Sequence, residues 1–119
     1  MDAAITPTEI RLRRNSRVLE VAFGETERHA LSFEFLRVHS PSAEVKGHGP
    51  GQETLVLGKQ GVGINAIEPV GHYAVRLVFD DGHDSGLYSW TYLRELGRDQ
   101  VSLWKRYLER VAAVGERGD

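Results

Sequence analysis

Gly71-His72-Tyr73-Ala74-Val75-Arg76-Leu77-Val78-Phe79-Asp80-Asp81-Gly82-His83-Asp84-Ser85-Gly86-Leu87-Tyr88-Ser89-Trp90 is the stretch whose reading decides the fold. Tyr73, Val75, Leu77 and Phe79 occupy every second position, the period of a strand with one buried face. Asp80-Asp81-Gly82-His83 reads as a hairpin turn, because Asp-Gly accepts the positive φ that tight hairpins need. Leu87 and Tyr88 lie on the returning strand. Ser89 is placed to cap a helical turn that runs through Leu96 and is stopped by Gly97. Just upstream, Ile64 to Val70 reads as a further strand.

Working outward, the N-terminal third repeats the same theme. Ile10 and Leu12 alternate with Arg11 and Arg13, and Leu19, Val21 and Phe23 alternate with Glu20 and Ala22. Asn15-Ser16 supplies the turn between these strands, and a short strand from Arg28 to Leu31 follows Gly24-Glu25. Ser32-Phe33-Glu34-Phe35-Leu36-Arg37 parallels Ser89-Trp90-Thr91-Tyr92-Leu93-Arg94, and Phe23 corresponds to Phe79. Two copies of a hairpin plus helical turn are the implied plan. Between them, Gly47, Gly49, Gly51, Gly58, Gly61 and Gly63, with Pro41 and Pro50, forbid a long regular element. Leu55-Val56-Leu57 reads there as a brief strand or an anchor into the core. At the other end, Val101, Trp104, Leu108 and Val111 recur at helical steps with Lys105, Arg106, Glu109 and Arg110 on the other face, predicting an amphipathic helix laid on the sheet. The expected fold class is α+β: an antiparallel or mixed sheet of two pseudo-repeated hairpin-plus-helical-turn units, closed by the C-terminal helix. One domain is expected over residues 8–114, with a glycine-rich loop at 40–63 and flexible termini at 1–7 and 115–119.

Composition limits what such a domain does. The 119 residues are 40% hydrophobic and 27% charged, ordinary globular usage for one domain with its own core. A net charge of −2 offers nucleic acid or anionic lipid little average attraction. The absence of cysteine excludes disulfides, thiolate metal sites and a cysteine nucleophile together. No apolar run approaches the roughly 20 residues needed to span a bilayer. The opening MDAAITPTEI lacks a basic region followed by an apolar one, so no signal peptide is expected and the cytoplasm is the default location.

The Gly71–Trp90 block resembles the signature of the DUF971 family, also called the gamma-butyrobetaine hydroxylase-like N-terminal domain. Phe35-Leu36-Arg37 and Ser40-Pro41-Ser42-Ala43-Glu44-Val45-Lys46-Gly47-His48-Gly49-Pro50-Gly51 are similar to its small bacterial members. The likeness covers residues 8 to 97. It implies a domain that, in the hydroxylase, precedes a jelly-roll holding Fe(II) and 2-oxoglutarate and carries a structural zinc on three cysteines and one histidine. The cysteine positions match Ser40, Ser42 and Val45 here, and only His83 matches a ligand. One imidazole without thiolates does not make a closed four-coordinate zinc site, so no zinc is expected. The jelly-roll is missing too, and no histidine is followed two residues later by a carboxylate, as the iron facial triad requires. The same domain type ends plastid Mrp-type ATPases that carry iron–sulfur clusters, which by analogy points toward metal-cofactor handling.

Few residues invite a chemical role. His72, Asp80, Asp81, His83 and Asp84 are the dense collection of ligand types, and His83 with Asp80 or Asp84 could hold a divalent metal such as Fe or Zn. The structural reading is that the turn itself needs the aspartates and the glycine, with His83 a solvated or backbone-bonded tip. His39 and His48 suit a recognition loop, and a histidine base with Ser40 or Ser42 as nucleophile lacks an obvious orienting acid. Gly51 to Gly58-Lys59-Gln60 has neither the spacing nor the Ser/Thr of a phosphate loop. Arg11, Arg13, Arg14 and Arg17 form a basic edge, read as solvated and protective against strand-to-strand pairing more than as an RNA surface. Trp90, Tyr92 and Trp104 read as core, with a small-molecule pocket as the alternative. The expected function is therefore a non-catalytic accessory or interaction module with a protein partner, no membrane contact, unlikely nucleic-acid binding and no expected cofactor. The alternatives are a divalent-metal-binding domain and an accessory subunit of a separate 2-oxoglutarate/Fe(II) oxygenase.

Overall fold

Alternating strands and serine-capped helices build two similar halves around one core. The computed structural model describes residues 6–46 and 54–117. β1 (Glu9–Arg13), β2 (Val18–Phe23) and β3 (Glu27–Ser32) form an antiparallel meander. α1 (Phe33–Val38) and the single turn α2 (Ala43–Lys46) follow. β4 (Ile64–Val70), β5 (Ala74–Phe79) and β6 (Leu87–Ser89) form a second antiparallel sheet. α3 (Trp90–Arg98) and α4 (Gln100–Arg117) complete the chain. This is the expected α+β architecture of two repeated units. Pairing is antiparallel throughout, and each unit keeps its own sheet. α4 continues to Arg117, past residue 114.

The repeat is visible in its chemistry. Ser32 and Ser89 hold nearly the same extended backbone, and their hydroxyls accept the Phe35 and Tyr92 amides at 3.0 Å each. Such caps satisfy donors that a helix start leaves orphaned, worth about 1 kcal/mol each. The two units then exchange arginines. Arg37 of α1 lies over the Phe79 ring and pairs with Asp81 of the second unit, while Arg94 of α3 lies over the Phe23 ring and pairs with Glu27 of the first. Two partly buried, reciprocal cation contacts of this kind orient one half on the other. Leu19, Val21 and Leu31 from one sheet, Ile64, Leu77, Phe79 and Tyr88 from the other, and Leu36 and Leu93 from the helices merge into one buried cluster.

Asn15-Ser16 lie in the turn between β1 and β2 as expected, and that turn places Arg17 in the left-handed region at φ 59°. It is held there because its carbonyl accepts the Phe33 amide at 3.1 Å and its guanidinium donates to the Val62 carbonyl. The basic edge is largely committed: Arg11 pairs with Glu9, Arg13 with Glu20, and Arg14 reaches the Ile64 carbonyl at 2.6 Å. Leu55-Val56-Leu57 forms no strand. It anchors through Val56, whose carbonyl accepts the Tyr107 hydroxyl at 2.7 Å.

The C-terminal helix turns Trp104 inward, as its spacing implies, and leaves Val111 half-buried, but it exposes Val101 and Leu108. Val101 is 85% exposed and Leu108 48%, whereas Tyr107 is buried and Leu103 and Trp104 pack on the core. The two apolar stripes overlap, and the aromatic one wins because Trp104 stacks on Tyr107 at 5.0 Å and meets Phe35 edge-on at 6.2 Å. The helix thus closes the fold over α1 and α3, touching the first sheet through Gln100, which donates to the Ala30 carbonyl at 2.9 Å. Gly97 does not stop α3. The helix runs on to Arg98, with Asp99 as its C-terminal cap.

The Asp80–His83 turn has Gly82 at φ +91°, as Asp-Gly implies, but β6 begins only at Leu87, so the hairpin is wide. Gly82→Val puts a β-branched side chain into that backbone region and is expected to lower stability by about 1–2 kcal/mol. A chemical-denaturation midpoint that does not move would show that the turn relaxes without strain.

Candidate functional site

The turn from Asp80 to Gly86 is mostly exposed, but it points His83 and Gly86 into the protein. The Gly82 amide donates to the Phe79 carbonyl at 3.3 Å, and the Phe79 amide donates to the His83 carbonyl at 3.0 Å. Asp81 Oδ1 accepts the His83 amide at 3.0 Å. With its backbone pinned this way, the His83 side chain swings inward, against the Phe79 ring, and is 7% exposed. His83 is therefore not a solvated tip, and that expectation is corrected.

What His83 meets is Ser40. Nε2 lies 2.8 Å from Ser40 Oγ, a hydrogen bond across 43 residues of sequence. Ser40 directly follows the C-cap of α1 and is 1% exposed. Its Oγ also accepts the Ser42 amide at 3.2 Å and bonds the Tyr88 phenol. Ser42 Oγ shares a 2.8 Å bond with Ser85 Oγ, and Val45 is buried beside them with its amide on the Ser42 carbonyl. Tyr88 is fully buried. Burial raises its phenol well above the usual range despite the Ser40 bond, so it stays protonated and donates to the Leu36 carbonyl at 2.6 Å. Gly86 completes the enclosure, because a Cβ there would stand 2.4 Å from Ser40 Oγ.

Ser40, Ser42, Val45 and His83 thus gather at one buried point as hydroxyls, an alkyl group and an imidazole. That donor set does not fit zinc, which takes thiolate, imidazole and carboxylate in a closed tetrahedron. The carboxylates of the expected metal group are elsewhere. Asp81 is bound by Arg37 Nε at 2.8 Å and Lys59 Nζ at 2.7 Å. Partial burial pulls its carboxyl up, but Lys59, the His83 amide and Arg37 outweigh that and hold it well below the usual carboxylate range. Asp80 and Asp84 are exposed, and Asp84 faces Arg76 at 3.8 Å. His72 sits at the far end of β5, where its carbonyl accepts Trp90 Nε1 at 2.7 Å. Among the described residues no three His, Asp or Glu side chains converge as metal ligands.

A second feature lies on the other side of Ser40. The end of α1, the turn α2, residues 54–56 and α4 enclose a cleft of about 440 Å³. His39, Lys46, Tyr92, Arg106, Tyr107 and Arg110 supply its polar and aromatic groups. The Lys46 ammonium sits 4.6 Å from the centre of the Tyr92 ring. Tyr92 donates to the His39 carbonyl at 2.6 Å, and its hydroxyl is pushed up to about 12 by burial, with the Glu95 charge adding to the effect. Burial lowers the His39 pKa; the bond to the Phe35 carbonyl opposes this, and Arg110 and Lys46 reinforce it. With Nδ1–H given to Phe35 O at 2.9 Å, neutral His39 keeps Nε2 as an acceptor. His48, expected to share a recognition loop with His39, lies outside the described residues. Arg106 and Arg110 stand one helical turn apart, a spacing that sequence reading filed under the solvent face. Trp90 and Trp104 pack on the core as expected, while Tyr92 does both jobs.

Known proteins share this design. The family model described as gamma-butyrobetaine hydroxylase-like, N-terminal, matches residues 10–94. Two proteins solved in solution by NMR are 52% and 49% identical, with TM-scores of 0.81 and 0.80. The matches cover 97% and 93% of this chain and 86% and 87% of theirs. A crystal structure of a DUF971 protein of unknown function from Acidithiobacillus ferrooxidans is 42% identical, with a TM-score of 0.64, over 77% of this chain and 92% of that one. No curated protein matches. With the family model spanning both repeated units, the chain belongs to the gamma-butyrobetaine hydroxylase-like N-terminal (DUF971) family.

Proposed function

We propose that this domain is a non-catalytic accessory module that acts by binding, with a link to metal-cofactor or iron–sulfur metabolism suggested by the company its family keeps. The observation that carries this reading is the Ser40–His83 pair. It has the reach of a nucleophile and its base, yet both side chains are buried and the hydroxyl is closed off by Gly86. Asp81 contacts the His83 amide and spends its charge on Arg37 and Lys59, so it does not orient the ring as a triad acid does. The pair works as a polar rivet between the two units.

The competing reading, a divalent-metal domain built on His83, makes an opposite prediction. Purified protein is expected to hold well below one equivalent of zinc or iron by elemental analysis, and chelator is expected to leave its melting temperature unchanged. Stoichiometric metal that survives dialysis, with melting lowered by chelator, would replace the accessory reading with the metal-binding one.

A further inference from the structure

We propose that the cleft between the α1–α2 segment and α4 binds a small organic anion, a carboxylate or phosphate group carried on an apolar or aromatic body. Its volume of about 440 Å³ falls in the range of small-molecule sites. The charged side chains that line it, among the described residues, are Lys46, Arg106 and Arg110, with no Asp or Glu. In a chain of net charge −2, such local clustering of cations opposes the average field. The acids nearby, Glu34 and Glu95, act on Tyr107 and Tyr92 from outside the lining.

The walls define the rest of the ligand. Tyr92 and Tyr107 give their hydroxyls to the carbonyls of His39 and Val56, so neither phenol has its proton left for a ligand. Val38, Val45 and Leu103 add apolar surface. Lys46 is already drawn over the Tyr92 ring, a position from which an ammonium reaches an anion while the ring receives the apolar body. Arginine on α4 presents the planar fork that matches carboxylate and phosphate oxygens. Neutral His39 contributes an acceptor, which suits a ligand with a hydroxyl or amine near its acid group. This site is independent of the accessory reading, which stands or falls on metal content.

The test uses the full chain labelled with ¹⁵N and three probes of one shape: 2-naphthoate, 2-naphthyl phosphate and uncharged 2-naphthamide. Both anions are expected to give saturable shifts confined to residues 38–46, 54–56, 92 and 103–110, half-complete below about 1 mM. The amide is expected to bind at least about tenfold more weakly, and the stronger of the two anions identifies the head group. Lys46→Gln combined with Arg106→Gln is expected to weaken the anions about tenfold and leave the amide unchanged. Both side chains are exposed, so the spectrum away from the cleft should not change. Equal binding of amide and anions, shifts spread over the whole surface, or anion binding untouched by the double variant would each overturn the proposal.

Discussion

Gly97→Ala is expected to destabilise the domain by about 2 kcal/mol, although alanine in a helix interior ordinarily stabilises it by about 1 kcal/mol relative to glycine. The reversal comes from His29. A Cβ at residue 97 would stand 2.3 Å from His29 Cγ, 2.6 Å from Cδ2 and 2.7 Å from Nδ1. Three ring atoms inside van der Waals contact force the imidazole to move, and overpacking of this kind costs about 1–3 kcal/mol. His29 is not free to leave cheaply, because Nε2 is 2.8 Å from Glu27, which Arg94 and Arg98 also hold. Gly115→Ala is the control. It lies in α4 with nothing within 4 Å of the added methyl, so the same substitution there should be neutral or stabilising. In Gly97→Ala combined with His29→Ala, the steric part of the loss should disappear, giving a coupling of about 1–2 kcal/mol. A denaturation midpoint for Gly97→Ala at or above that of the wild type would show that α3 and β3 do not approach this closely.

Gly97 also marks where local reading stops. The glycine was legible as punctuation, since glycine follows many helix ends. Its real reason is a neighbour on β3, and nothing within a few residues of Gly97 announces that. The strands and caps were legible because their causes are local. β4 ends before Gly71, Pro69 is tolerated because β4 is an edge strand, and Ser32 and Ser89 stand where a helix needs an acceptor. The inward face of α4 was legible only at Trp104, because Val101, Leu108 and Leu103, Tyr107 form stripes of nearly equal apolar character. Phe35 and Val56, distant in sequence, select between them. The site followed the same rule. His83 was picked out by its type and by the family likeness, but its burial depends on Ser40 and Phe79. The Lys46–Tyr92–Arg106 grouping joins three segments that share no motif.

His83→Ala is expected to cost about 3 kcal/mol, a large share of the stability of a domain this size. A surface turn histidine would cost well under 1 kcal/mol. Removing the 7%-exposed imidazole leaves a cavity beside Phe79 and takes the partner from a hydroxyl that is 1% exposed. Ser40→Ala removes a single hydroxyl and leaves little cavity, so its own truncation should be milder, about 1–2 kcal/mol for the bonds lost to His83 and the Ser42 amide. Because each change removes the same bond, the double variant should lose about 1 kcal/mol less than the sum of the two. His83→Gln, which keeps a polar atom within reach of Ser40, should recover part of the loss. Local consequences should follow the bond as well. With His83→Ala, amides of residues 40–46 should exchange faster than those of β2 and β5, because the bond holds this segment to the second unit. An unchanged melting temperature in His83→Ala would mean that the imidazole stands in solvent. In that event the side chain is open to metal, and the rivet between the two units is lost.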